Sequence, residues 1–64
     1  MIVNGKSILL DGDMTLKEYL EASGYMLSRV AVEHNGVIIS KSDYAQVTLK
    51  NNDCLEIVQF VGGG

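Results

Sequence analysis

The stretch Cys54-Leu55-Glu56-Ile57-Val58-Gln59-Phe60-Val61-Gly62-Gly63-Gly64 decides how the rest of the chain is read. Its first part, Cys54 to Val61, is the longest and most apolar β-patterned run in the sequence. Side chains alternate between the two faces of a strand, so Leu55 and Ile57 share one face and Cys54, Glu56, Val58 and Phe60 the other. Glu56 marks the second face as the one that meets water, which leaves Val58 and Phe60 as exposed apolar groups and a candidate docking patch. The alternative, that these two side chains complete a core, stays open at this point. A strand this apolar belongs in the middle of a sheet, with a helix packed over its Leu55/Ile57 face.

Three glycines follow. Glycine lacks Cβ and loses the most entropy on ordering, so this run adds nothing to a core and is expected to form a thin, flexible tail. From Val61 onward the extended chain reaches roughly 13–14 Å, enough to enter a narrow site on another protein. The Gly64 α-carboxylate, with a reference pKa of ~3.5, is ionised at neutral pH. A frayed terminus has the same composition. Residues 1–61 are therefore read as one domain and 62–64 as its tail.

Working outward, the remaining segments supply the partners that a central last strand requires. Met1 to Asn4 and Lys6 to Leu10 are short β-rich runs joined by Asn4-Gly5, and Asn-Gly between apolar runs is a strong hairpin signal. Asp11-Gly12-Asp13 breaks the pattern. Thr15 and Glu18 then have capping-box spacing, with Met14 and Tyr19 placed as a hydrophobic staple. Leu16, Tyr19 and Leu20 fall on one helical face, and Gly24 after Ser23 closes the helix, predicted over Leu16 to Ser23.

Arg29 to Glu33 alternates Val30 and Val32 against Ala31 and Glu33, a strand with one buried face. Asn35-Gly36 turns it into Val37-Ile38-Ile39. A 3₁₀ turn is expected at Ser42 to Tyr44 with Ser42 as a weak cap, and a fragment of edge strand at Val47 to Leu49. Asn51-Asn52-Asp53 reads as a turn whose asparagines tolerate the left-handed conformation. The resulting order, ββ-α-ββ-turn-β, predicts an α+β roll of the β-grasp, ubiquitin-like kind. Its sheet would be mixed, with four or five strands and one main helix, and the last strand parallel to the first.

Composition narrows the function. The 64 residues carry a net charge of −3 with 47% hydrophobic residues, ample for a single small core. Five basic residues are scattered, without the stripe that nucleic-acid binding uses. No apolar run approaches the ~18 residues of a membrane span. A single cysteine forms no internal disulfide, and a reducing, cytoplasmic setting is expected.

The chemistry-bearing side chains do not form a catalytic set. His34 reads as a solvated loop residue beside the Asn35-Gly36 turn. Cys54 lies next to Asp53 and Glu56, whose charges disfavour a thiolate. Asp11-Gly12-Asp13 is too short for a calcium loop, and no helix follows the terminal glycines to hold a phosphate. No metal or bound cofactor is expected. The reactive group left is the Gly64 carboxylate, a poor electrophile that would need an ATP-dependent partner to convert it to an acyl-adenylate.

Val30-Ala31-Val32-Glu33-His34-Asn35-Gly36-Val37-Ile38-Ile39, Lys41, Tyr44 and the ending Asn52 to Gly64 together resemble the ThiS family, the sulfur carriers of thiamine (thiazole) biosynthesis. The resemblance implies that Gly64 is adenylated by a ubiquitin-activating-type adenylyltransferase and converted to a thiocarboxylate. It further implies that a cysteine desulfurase is the indirect sulfur source and that thiazole synthase receives the sulfur. Gly63 and Gly64 match the family's terminal pair, and Val58, Phe60 and Val61 fall where such carriers dock. Ser40 replaces a common proline, Asn52 a usual glycine, and Gly62 makes the terminal pair a triple. Other readings are the small subunit of molybdopterin synthase, a ubiquitin-like modifier, and an interaction module with an idle tail.

Overall fold

A computed structural model describes residues 1–60. The predicted tail Gly62, Gly63 and Gly64, together with Val61, lies outside the described residues.

Asn4 and Gly5 both take positive φ, 51° and 83°, and fold β1 (Ile2–Val3) back on β2 (Lys6–Ser7) as a two-residue turn requires. The return strand ends at Ser7, short of the expected Leu10. Asn35 and Gly36 repeat the device at φ 52° and 85°, joining β4 (Val30–His34) to β5 (Val37–Ile39). Between the hairpins lies α1 (Leu16–Ala22), whose capping box is complete. The Glu18 N–H donates to Thr15 Oγ1 at 3.1 Å, and the Thr15 N–H donates to Glu18 Oε1 at 2.9 Å. These bonds hold the Glu18 carboxyl below its ordinary range, the backbone contact contributing most. Gly24 at φ 86° ends the helix, as a residue without Cβ does most cheaply.

The last strand, β7 (Cys54–Gln59), is central. The sheet runs β2-β1-β7-β4-β5, with β7 parallel to β1 and antiparallel to β4. One helix over a mixed five-stranded sheet is the β-grasp arrangement that the element order implied. Leu16 and Leu20 of α1 meet Val3, Val30, Val32, Leu55 and Ile57 in a single buried cluster, closed by Met1, Tyr44 and Leu49. The Tyr44 ring is buried, which pushes its phenol pKa up, and its hydroxyl donates to the Val30 carbonyl at 3.4 Å.

Several local expectations are corrected. Thr48–Leu49, β6, is not an edge of the main sheet; it pairs with Met14–Thr15, β3, in a separate two-stranded ladder beside the helix start. Leu27–Arg29 forms a 3₁₀ turn, so β4 starts at Val30. The second 3₁₀ turn is Lys41–Asp43, with Ser40 at its N-cap and no side-chain capping bond, so Ser42 lies inside it. Asn51 and Asn52 make a turn, yet among the described residues Asn4 and Asn35 are the non-glycine residues with positive φ.

Candidate functional site

The α1 side of the sheet is filled, so chemistry or recognition falls to the opposite face. Along β7 the burial alternates as its sequence does: Leu55 and Ile57 are buried, and Cys54, Glu56 and Val58 are open. Val58 is 57% exposed and Phe60, just beyond the strand, is 56% exposed. The Phe60 N–H donates to the Arg29 carbonyl at 2.7 Å, which anchors the backbone one residue past the strand's end. Val61, Gly62, Gly63 and Gly64, the other candidate site residues, lie outside the described residues.

Beside Val58 the structure adds a residue that the sequence reading passed over. Ile38 is 76% exposed. In the β4–β5 hairpin it stands opposite Glu33, and Glu33 in turn opposite Glu56. Ala31, Val32, Glu33, Ile38, Glu56 and Val58 line a shallow groove of about 100 Å³. The signal was available: a two-residue turn at Asn35-Gly36 pairs Glu33 with Ile38, which puts Ile38 on whichever face Glu33 occupies.

The polar groups near the other end of β7 are engaged in structure. His34 is not a solvated loop residue; its Nε2 lies 2.9 Å from Asp53 Oδ2, and it closes β4 in a half-buried position. Asp53 also accepts from Asn35 Nδ2 at 3.1 Å and from the Lys50 N–H at 2.9 Å. Burial pushes its carboxyl up, but the bonds from His34, Asn35 and Lys50, with the His34 charge, outweigh it and hold the pKa below the usual range. Asn35 Oδ1 accepts from the Cys54 N–H at 2.9 Å, and the Asn35 N–H donates to the Cys54 carbonyl at 2.8 Å.

Asn4 plays a matching part where β1 ends. Its side-chain amide donates to the Ile57 carbonyl at 3.1 Å and accepts from the Ile57 N–H at 2.7 Å, continuing the ladder without another residue of strand. Lys41 Nζ is bound to the Val30 carbonyl at 2.6 Å. Cys54 is a free, exposed thiol. Among the described residues no three His, Cys, Asp or Glu side chains converge as a metal site, and no helix is long and apolar enough to cross a membrane. What this face offers is an open apolar surface with two carboxylates, suited to recognition.

The ThiS family matches residues 1–64. The chain is 40% identical over 63 residues to the "Sulfur carrier protein ThiS" of Bacillus subtilis, covering 97% of this chain and 96% of that one. It is 42% identical over 64 residues to a "Thiazole synthase" of Paramagnetospirillum magneticum, and there it spans 20% of the relative's length. A second thiazole synthase, from Magnetococcus marinus, is 36% identical over 62 residues, with 19% of its length spanned. Among solved structures, the crystal structure of a Geobacter metallireducens thiamine biosynthesis protein (ThiS) superposes with a TM-score of 0.81 at 33% identity. That match covers 98% of this chain and 96% of the other.

Proposed function

The chain belongs to the ThiS family, and from that premise we propose that it is a sulfur carrier of thiamine biosynthesis, acting as a protein substrate rather than as an enzyme. The observation that carries the reading is the match to the Bacillus subtilis sulfur carrier, which takes in nearly the whole of both chains.

The carboxyl of Gly64 is the working group. A carboxylate resists nucleophiles because its charge is delocalised and oxide is a poor leaving group. A ubiquitin-activating-type adenylyltransferase supplies ATP; the carboxylate oxygen attacks the α-phosphorus, forming the acyl-adenylate and releasing pyrophosphate. A sulfur nucleophile, fed indirectly by a cysteine desulfurase, then attacks the acyl carbon and expels AMP. The C–S bond to Gly64 replaces a C–O bond, and with a persulfide as the nucleophile the product is an acyl disulfide. A second thiol then attacks the donor's sulfur, breaking the S–S bond to leave the thiocarboxylate on Gly64 and a disulfide as the oxidised product. Thiazole synthase takes the sulfur, and water restores the carboxylate. ATP belongs to the activating partner, and the carrier holds no cofactor of its own.

The body of the chain contributes recognition. Val58 and Phe60, with Val61, form the docking patch next to Gly62, Gly63 and Gly64 in sequence. Side chains that are more than half exposed lose water on docking without cost to the core, which favours this assignment. Glycines at 62–64 let a partner approach the backbone where any Cβ would stand in the way. The two thiazole synthase relatives support that enzyme as the sulfur acceptor, since each includes a segment homologous to this chain.

Incubation with ATP, the activating enzyme and a sulfur donor is expected to replace one oxygen at Gly64 by sulfur in the intact-mass spectrum. A competent activating enzyme that leaves the mass unchanged overturns the proposal.

A further inference from the structure

The open face of the sheet carries two carboxylates in an arrangement that costs the free chain stability. Glu33 of β4 and Glu56 of β7 stand directly opposite each other, and both are exposed. The backbone bonds Asn35 to Cys54 and Phe60 to Arg29 bracket them at even steps along the ladder. Glu33 and Glu56 therefore occupy a hydrogen-bonded pair, with Cα atoms ~5.5 Å apart. Like charges placed this way destabilise a sheet. Among the described residues the ion pair present is His34–Asp53, so no lysine or arginine neutralises either glutamate.

The surroundings of the pair are apolar. Ile38 continues the row on the third strand, giving Ile38, Glu33, Glu56 across the sheet. The adjoining row on this face holds Ala31 and Val58, and together these residues wall the groove. Apolar side chains around two unneutralised carboxylates are complementary to a protein surface with a cation set among apolar groups. Arginine fits better than lysine, because a planar guanidinium presents donors along two edges and can serve two carboxylates at once.

We propose that thiazole synthase seats on this face and inserts one arginine between Glu33 and Glu56, while its apolar neighbours cover Ile38 and Val58. The proposal rests on the carrier reading above. It takes thiazole synthase as the occupant because the chain's homologue is built into that enzyme in two relatives, where the two parts share one polypeptide. The clamp adds specificity: a surface without the cation leaves two carboxylates desolvated and repelling each other.

The test is a titration of thiazole synthase from the same organism with the full chain and with its Glu33→Gln and Glu56→Gln variants, at low and high salt. Each single substitution is expected to weaken binding about tenfold or more, and the double variant to bind with much less salt dependence. The free variants are expected to melt about 2–4 °C higher than the parent, because repulsion is relieved. A merely structural role for the glutamates does not produce more stable chains that bind less well. Glutamine variants that bind as the parent does, with the same salt dependence, overturn the clamp. So does a defect confined to adenylation by the activating enzyme, which moves the cation to that partner. Intact-mass analysis of the same parent sample separates the two readings: a sulfur-loaded chain with indifferent variants refutes the clamp alone, whereas a chain that is never loaded refutes the carrier.

Discussion

Replacing Asp53 with alanine removes the acceptor that ties the β4–β5 turn to the turn before β7. Asp53 is 8% exposed, and its carboxylate takes bonds from His34 Nε2 at 2.9 Å, Asn35 Nδ2 at 3.1 Å and the Lys50 N–H at 2.9 Å. A hydrogen bond to a charged group contributes about 1.5–3 kcal/mol net. These three share one carboxylate and their donors are partly open to water, so the combined loss is about 3–4 kcal/mol rather than the full sum. A chain of this size with a single cysteine, and so no internal disulfide, has about 3–5 kcal/mol in all. Asp53→Ala is thus expected to be largely unfolded or close to it at 25 °C. Asp53→Asn keeps one oxygen and gives up the charge, at about half that cost.

Urea denaturation followed by far-UV circular dichroism reads both variants. Acidification supplies a second axis. The folded Asp53 carboxyl titrates below its unfolded value, so its stabilisation is complete above the unfolded pKa of ~3.9 and is lost as pH falls through the folded value. The parent is therefore expected to lose stability steeply below about pH 4, and Asp53→Asn to show a shallower acid limb. An alanine variant with the parent's urea midpoint, or an asparagine variant with the parent's acid limb, refutes the assignment of Asp53 as the hub of the network.

Thr15→Ala removes the capping box and is expected to cost about 1 kcal/mol in the same urea experiment. Leu20→Ala, at a fully buried position under the sheet, costs about 2–5 kcal/mol and should abolish a cooperative transition at 25 °C. Gly36→Ala meets no neighbouring atom within 4 Å, so its cost, about 1 kcal/mol by thermal melting, comes from φ 85° alone. The double change Val58→Ser and Phe60→Ser is expected to leave the unfolding free energy from urea denaturation within about 0.5 kcal/mol of the parent, while thiocarboxylation slows severalfold.

What the sequence made legible were features encoded over a few residues. Asn4-Gly5 and Asn35-Gly36 announce their turns because both residues of each need positive φ. Thr15 and Glu18 announce the helix, and the alternation through β7 separates its two faces, including the exposure of Val58 and Phe60. The features that escaped depend on residues far apart in the chain. Pairing of Met14–Thr15 with Thr48–Leu49 has no local signal at either end. Asp53 looks like one more turn residue until His34 is folded against it, and the amide of Asn4 has no role until Ile57 lies beside it. Glu33 and Glu56 are separated by 22 residues of sequence, and only the register makes them neighbours.

The proposed sulfur carriage assigns the work to the Gly64 carboxyl, so the most direct measurement follows that one group through a turnover. A chain bearing a thiocarboxylate at Gly64 is mixed with thiazole synthase and its remaining substrates, alongside a chain whose Gly64 is blocked as the amide. The carrier reading predicts one thiazole formed per thiocarboxylate consumed, a carboxylate regenerated on the loaded chain, and no product from the amide. Thiazole accumulating equally from both chains contradicts it.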